Sequence, residues 1–145
     1  MATDFELAVF EQQLGDVLKL PEAARWTLER DESVPLGLFV TMHPRTEPSS
    51  NFRARFRWSD LFKPPSMRFI DLETGSDGLP QAWPRCLGFR PKSLDACLPW
   101  TAEGHSLHPE WADSNNAFPP VDAPVQFALL MLQASLDSTY QGRQP

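Results

Sequence analysis

Leu7, Phe10, Leu14 and Val17 recur at helical spacing, directly after Thr3-Asp4-Phe5-Glu6, which has the form of a capping box. Together they predict a helix over about residues 4–19, stopped by Pro21. Residues 25–30 and 37–42 read as two strands joined by a turn at 31–35, and a polar loop follows at 43–51. The sharpest pattern comes next: Phe52, Ala54, Phe56 and Trp58 alternate with Arg53, Arg55 and Arg57. Period two means one buried and one wet face. The arginine stripe is then a solvated face or a docking surface for an acidic partner. As a solvated face, it would tolerate reversal of two arginines to Glu for under about 0.5 kcal/mol.

Pro64-Pro65 forces an extended corner before a fourth strand at 67–71. From 73 to 120 regular structure is scarce, but Trp83, Phe89, Trp100 and Trp111 predict a packed functional loop. Asp122 is placed to cap a last helix with Pro124 in its first turn. Residues 127–132 are apolar almost all round, so that helix is buried, and Gly142 is its natural stop. The expectation is a single α+β domain over 1–145: an N-terminal helix, a four-stranded antiparallel meander, a long cysteine-bearing loop region and a buried C-terminal helix.

Composition adds three constraints. Five Trp and ten Phe in 145 residues argue for a packed core, and fifteen prolines make the second half loop-rich. A net charge of −6 weighs against nucleic acid as the main ligand. Two cysteines, with no signal peptide and no long apolar run, point to a reducing, cytoplasmic setting away from the membrane.

The chemistry gathers at Ser93-Leu94-Asp95-Ala96-Cys97-Leu98-Pro99-Trp100. Cys97 is either a packing residue or, with His105 and His108, a nucleophile beside a base or part of a metal site. No CxxC or HxxxH spacing supports the metal, since Cys86 and Cys97 stand eleven residues apart. Hydrolase elbows, P-loops and dinucleotide fingerprints are absent. A thiol suits acyl transfer, because sulfur is nucleophilic at neutral pH and its thioester stays reactive toward amines. Cys86 reads as a buried thiol or as a redox partner of Cys97.

The order of elements resembles that of the ubiquitin-conjugating enzymes (UBC fold), and three stretches carry the resemblance. Residues 56–69 (FRWSDLFKPPSMRF) resemble that family's strand, aromatic-proline loop, Pro-Pro corner and strand. Ala96-Cys97-Leu98 resembles the Ile-Cys-Leu around its catalytic cysteine. Pro119-Pro120-Val121-Asp122, leading into Phe127-Ala128-Leu129-Leu130, looks like the proline-led start of its next helix. The family's His-Pro-Asn triplet is not matched; Trp83-Pro84-Arg85 holds roughly that place. The wide spacings and the missing closing helices are similar to the compact prokaryotic members that accompany antiphage operons.

The resemblance implies transthiolation. Cys97 would take the C-terminus of a ubiquitin-like protein, or of a cGAS-like nucleotidyltransferase, from an activating enzyme and pass it to a lysine amine. It implies no cofactor on this chain. His105 or His108 would deprotonate the incoming amine, with Asp95 and Asp113 as substitutes. A catalytically inactive UBC-fold protein-binding module is the alternative, and an immunity or chaperone protein a third class.

Overall fold

The computed structural model describes residues 2–145. Thr3 and Glu6 form the expected capping box: each backbone amide donates to the other's side chain at 3.1 Å. The helix they start, α1 (Asp4–Val17), runs into a turn and then a 3-10 segment at Pro21–Arg25. That segment takes the start of the predicted first strand, so β1 covers only Thr27–Arg30. β2 (Gly37–Met42), β3 (Phe52–Arg57) and β4 (Ser66–Ile70) complete an antiparallel meander in the order β1-β2-β3-β4.

Register explains the core. Leu38 faces Phe56, Val40 faces Ala54, Met42 faces Phe52, and Phe56 and Ala54 face Met67 and Phe69 across the next ladder. All eight are at most 1% exposed. Phe10 and Val17 of α1 join the same cluster, with Val125, Leu129, Leu132 and Leu136 of α3 (Pro124–Ser138). A one-residue slip would turn this face outward, so burial itself holds the register. Trp58, just past β3, extends the face by stacking on Phe56 at 5.8 Å and meeting Phe10 edge-on at 5.7 Å.

The opposite face is half-covered rather than freely wet. Arg53 pairs with Glu29 at 2.5 Å and lies 4.3 Å over the Phe39 ring. Arg55 and Arg68 stand directly opposite each other, and Asp77 reaches both, at 3.2 and 3.8 Å. Arg57 bonds Asp31, which is only 3% exposed. A stripe that looked like free positive charge is therefore neutralised from within the chain.

Two features of α3 differ from expectation. Asp122 does not cap it; Ala123 holds the N-cap position with no side-chain bond. The Val125 amide donates instead to Gln13 Oε1 at 3.0 Å, and Gln13 Nε2 reaches the Asp122 carbonyl at 3.4 Å, so α1 supplies the cap. Gly142 is not the stop either, because α3 ends at Ser138. Gly142 lies in a tail that pairs with residues 83–85, through Arg85 N to Gly142 O at 2.7 Å and Gln144 N to Trp83 O at 2.9 Å. Further in, Gln133 accepts from Trp26 Nε1 at 2.8 Å and donates to the His43 carbonyl at 3.1 Å. This relay ties α3 to both ends of the first hairpin. Among the described residues no helix is long and apolar enough to cross a membrane.

Candidate functional site

Residues 73–120 are not one loop. They hold a 3-10 turn (Pro80–Ala82), a hairpin of β5 (Phe89–Arg90) and β6 (Asp95–Ala96), α2 (Ala102–Leu107) and another 3-10 turn (Pro109–Asp113). Each is too short for periodicity to reveal. The hairpin turn starts at Pro91, whose fixed φ suits the position, and closes at Leu94 with a left-handed φ of 58°.

Alternation along the hairpin sorts its side chains. Phe89 and Ala96 face each other and are buried, whereas Arg90 and Asp95 face each other on the outer side. Arg90 grips Asp95 with both Nε and Nη2, at 2.7 and 2.9 Å. One step further the Cys97 amide donates to the Gly88 carbonyl at 2.8 Å. Cys97 thus follows β6 directly, on the Arg90–Asp95 side, and is half-buried. Its opposite residue is obliged to be glycine: Gly88 has φ +84°, and a Cβ there would lie 2.6 Å from Leu98 Cδ2.

Beyond Cys97, Thr101 is fully buried and does two jobs. Its hydroxyl accepts the Gly104 amide at 3.0 Å, capping α2, and donates to the Ala96 carbonyl at 2.5 Å. Gly104 allows α2 to touch the cysteine turn, since a Cβ would sit 2.2 Å from the Leu98 carbonyl oxygen. The same helix holds the Pro-Pro corner: Ala102 N donates to Pro65 O at 2.8 Å, and Glu103 accepts from Met67 N at 3.2 Å and from the Ser66 hydroxyl. Beside the turn lies an apolar groove of about 260 Å³, lined by Leu87, Leu98, Pro99, Phe127 and Met131 among others.

The two thiols differ in environment. Cys86 is buried, and burial pushes its thiol up to about 11 against a smaller opposing pull from a Thr139 hydrogen bond. It stays protonated at neutral pH. Cys97 is the more accessible of the pair.

The histidines are not hydrogen-bonded to Cys97. His105 Nε2 meets the Pro99 carbonyl at 2.7 Å, with its ring edge-on to Trp111 and Phe118. His108 stacks on Trp111 with centroids 4.4 Å apart and bonds Glu110 at 2.9 Å. Asp95 is committed to Arg90, and Asp113 is exposed at the end of its 3-10 turn. Trp83-Pro84-Arg85 is engaged elsewhere: Trp83 is 0% exposed between Phe69 and Phe89, and Arg85 donates to the Gln141 carbonyl at 2.5 Å. Among the described residues no group of three or more His, Cys, Asp or Glu side chains is placed to hold a metal ion.

Reading the residues alone missed Gly88, Arg90 and Thr101. A signal was present for one of them. Arg90 and Asp95 are opposite charges flanking a Pro91-led turn, the mark of a cross-strand pair. Nothing in the sequence marked Gly88. No family model, curated protein or solved structure matches the chain.

Proposed function

We propose that this protein is a ubiquitin-conjugating-like acyl carrier of bacterial antiphage defence, with Cys97 as the acceptor thiol. An activating enzyme delivers the C-terminus of a ubiquitin-like protein or a cGAS-like nucleotidyltransferase to Cys97, and the resulting thioester is passed to an amine. One observation carries the reading. The half-exposed thiol of Cys97 stands on a braced hairpin, clamped by Thr101 and Gly104, while the only other thiol is buried and protonated. The succession of α1, the four-strand meander, the cysteine turn and α3 supports it by resemblance.

His105 is the base this reading favours. Its Nε2 donates to the carbonyl of Pro99, two residues past Cys97, which leaves Nδ1 as the proton acceptor. His108, engaged by Glu110, plays the lesser part.

The test mixes the protein with the activating enzyme, ATP and cargo. Wild-type and Cys86→Ala proteins should form an adduct that thiols cleave. Cys97→Ala should form none, and Cys97→Ser an oxyester that only strong base removes. Loss of the adduct in Cys86→Ala alone would assign the wrong sulfur. His105→Ala should load normally and discharge to lysine more slowly, by about 10²-fold or more if it is the base.

The second reading, a non-catalytic protein-binding module, is favoured by Gly88, which brings no donor side chain opposite the thiol. Absence of any adduct on wild-type protein would select it.

A further inference from the structure

Acyl transfer onto a thiol passes through a tetrahedral adduct whose oxygen carries a full negative charge. A site that handles this adduct needs a hydrogen-bond donor aimed at that oxygen. Gly88, the residue directly across from Cys97, has no side chain and cannot acquire one without striking Leu98. Arg85, the other cation on the approach to the hairpin, is turned to the Gln141 carbonyl. The next step of the ladder, where Arg90 faces Asp95, supplies a side chain that can donate.

Arg90 fits in three ways. It lies on the same hairpin face as Cys97, one diagonal step away, a separation that long side chains span. Asp95 holds its guanidinium by Nε and Nη2, which fixes the plane of the fork. Of the five N–H donors of a guanidinium, those on Nη1 remain uncommitted to Asp95. Asp95 also favours the arginine cation, first through its hydrogen bond and then through its charge.

We infer that Arg90 is the oxyanion donor of the Cys97 site, held in position by Asp95. The inference rests on the acyl-carrier reading of Cys97. The Cys97 sulfur gives up its proton to solvent and attacks the carbonyl carbon of an incoming thioester. A carbon–sulfur bond forms as the carbonyl π pair moves to oxygen, where Arg90 donates to it. The pair then returns, the bond to the old sulfur breaks, and the departing thiolate takes up a proton. The fork is a planar, permanently charged donor, which a lysine ammonium does not reproduce.

The experiment compares two reactions of the same thiol and needs no protein partner. The mercaptoethanesulfonate thioester of acetyl-Gly-Gly acylates Cys97 through an oxyanion, whereas iodoacetamide alkylates it with none. Both rates are read at the Cys97 peptide by mass spectrometry. In Arg90→Gln, acylation should fall about 10²-fold, the order found on losing one oxyanion donor, while alkylation is unchanged. Arg90→Lys, which keeps the charge and an ion pair with Asp95, should recover part of the loss. Asp95→Asn should slow acylation by a smaller factor, because the fork is present but no longer held.

Equal slowing of both reactions in Arg90→Gln and Arg90→Lys would overturn the inference, since Arg90 would then act on the thiol or the fold. Unchanged acylation in Arg90→Gln would overturn it too. A wild-type protein that is alkylated at Cys97 but never acylated would sink the acyl-carrier reading itself, and this inference with it.

Discussion

Replacing Gln13 with Ala removes the one side chain that caps α3 among the described residues, and the cost can be worked from the contacts. Gln13 is 7% exposed and its Oε1 accepts the amide of Val125, a residue that is 0% exposed. Truncation leaves that amide buried without an acceptor, because Ala123 at the N-cap has no side chain to offer. An orphaned buried donor costs about 1–3 kcal/mol. Loss of one buried methylene adds about 0.8 kcal/mol. The longer contact from Gln13 Nε2 to Asp122, at 3.4 Å, adds little. The expected destabilisation is about 2–4 kcal/mol, or roughly 6–13 °C in melting temperature for a chain of this size. Urea unfolding followed by far-ultraviolet circular dichroism measures it, with the slope against urea unchanged. Gln13→Glu keeps the acceptor and sets a negative charge at a helix N-terminus, so it should lose under about 1 kcal/mol. A loss below about 0.5 kcal/mol in Gln13→Ala would refute the cross-helix cap.

Three further outcomes follow from the same contacts. Burial raises the Asp31 carboxyl, but bonds from Ser33 and the Arg57 guanidinium outweigh this and hold it below the usual carboxylate range. Its stabilisation is thus complete above about pH 4 and lost as pH falls through the lower folded value, so Asp31→Asn should flatten the acid limb of a stability-versus-pH curve. An unchanged acid limb would remove Asp31 from the account. Reversing Arg53 and Arg55 to Glu sets like charges against Glu29 and Asp77, and should cost about 1–2 kcal/mol in denaturant titrations, less at high salt. A neutral result would restore the solvated face expected from alternation alone. Gly104→Ala drives a methyl into the Leu98 backbone and should cost about 3 kcal/mol, loosening α2 and speeding alkylation of Cys97 by iodoacetamide. Unaltered stability and labelling would show that α2 does not brace the cysteine turn.

What the sequence determined by itself was everything periodic or capped within a few residues. Leu7, Phe10, Leu14 and Val17 behind a Thr3–Glu6 box specify α1, and the alternation of Phe52 to Trp58 specifies β3 and its buried face. These signals are local, because one helix turn or one strand pleat repeats within a short window. Cys97 was legible as a candidate for the same reason, from its immediate neighbours. What only tertiary structure decided involves partners far apart in the chain. Gln13 caps a helix more than a hundred residues away, and Glu29, Asp31 and Asp77 cancel the arginine stripe from other strands and loops. The two histidines next in sequence to Cys97 turn to Pro99 and Glu110. A two-residue ladder sets Gly88 across from Cys97 and Arg90 one step along the same hairpin face. A strand pair that short carries no period of its own. Its register is set by the close approach of Gly88 to Leu98 and by Thr101 holding the Ala96 carbonyl, contacts that exist only once the chain has folded.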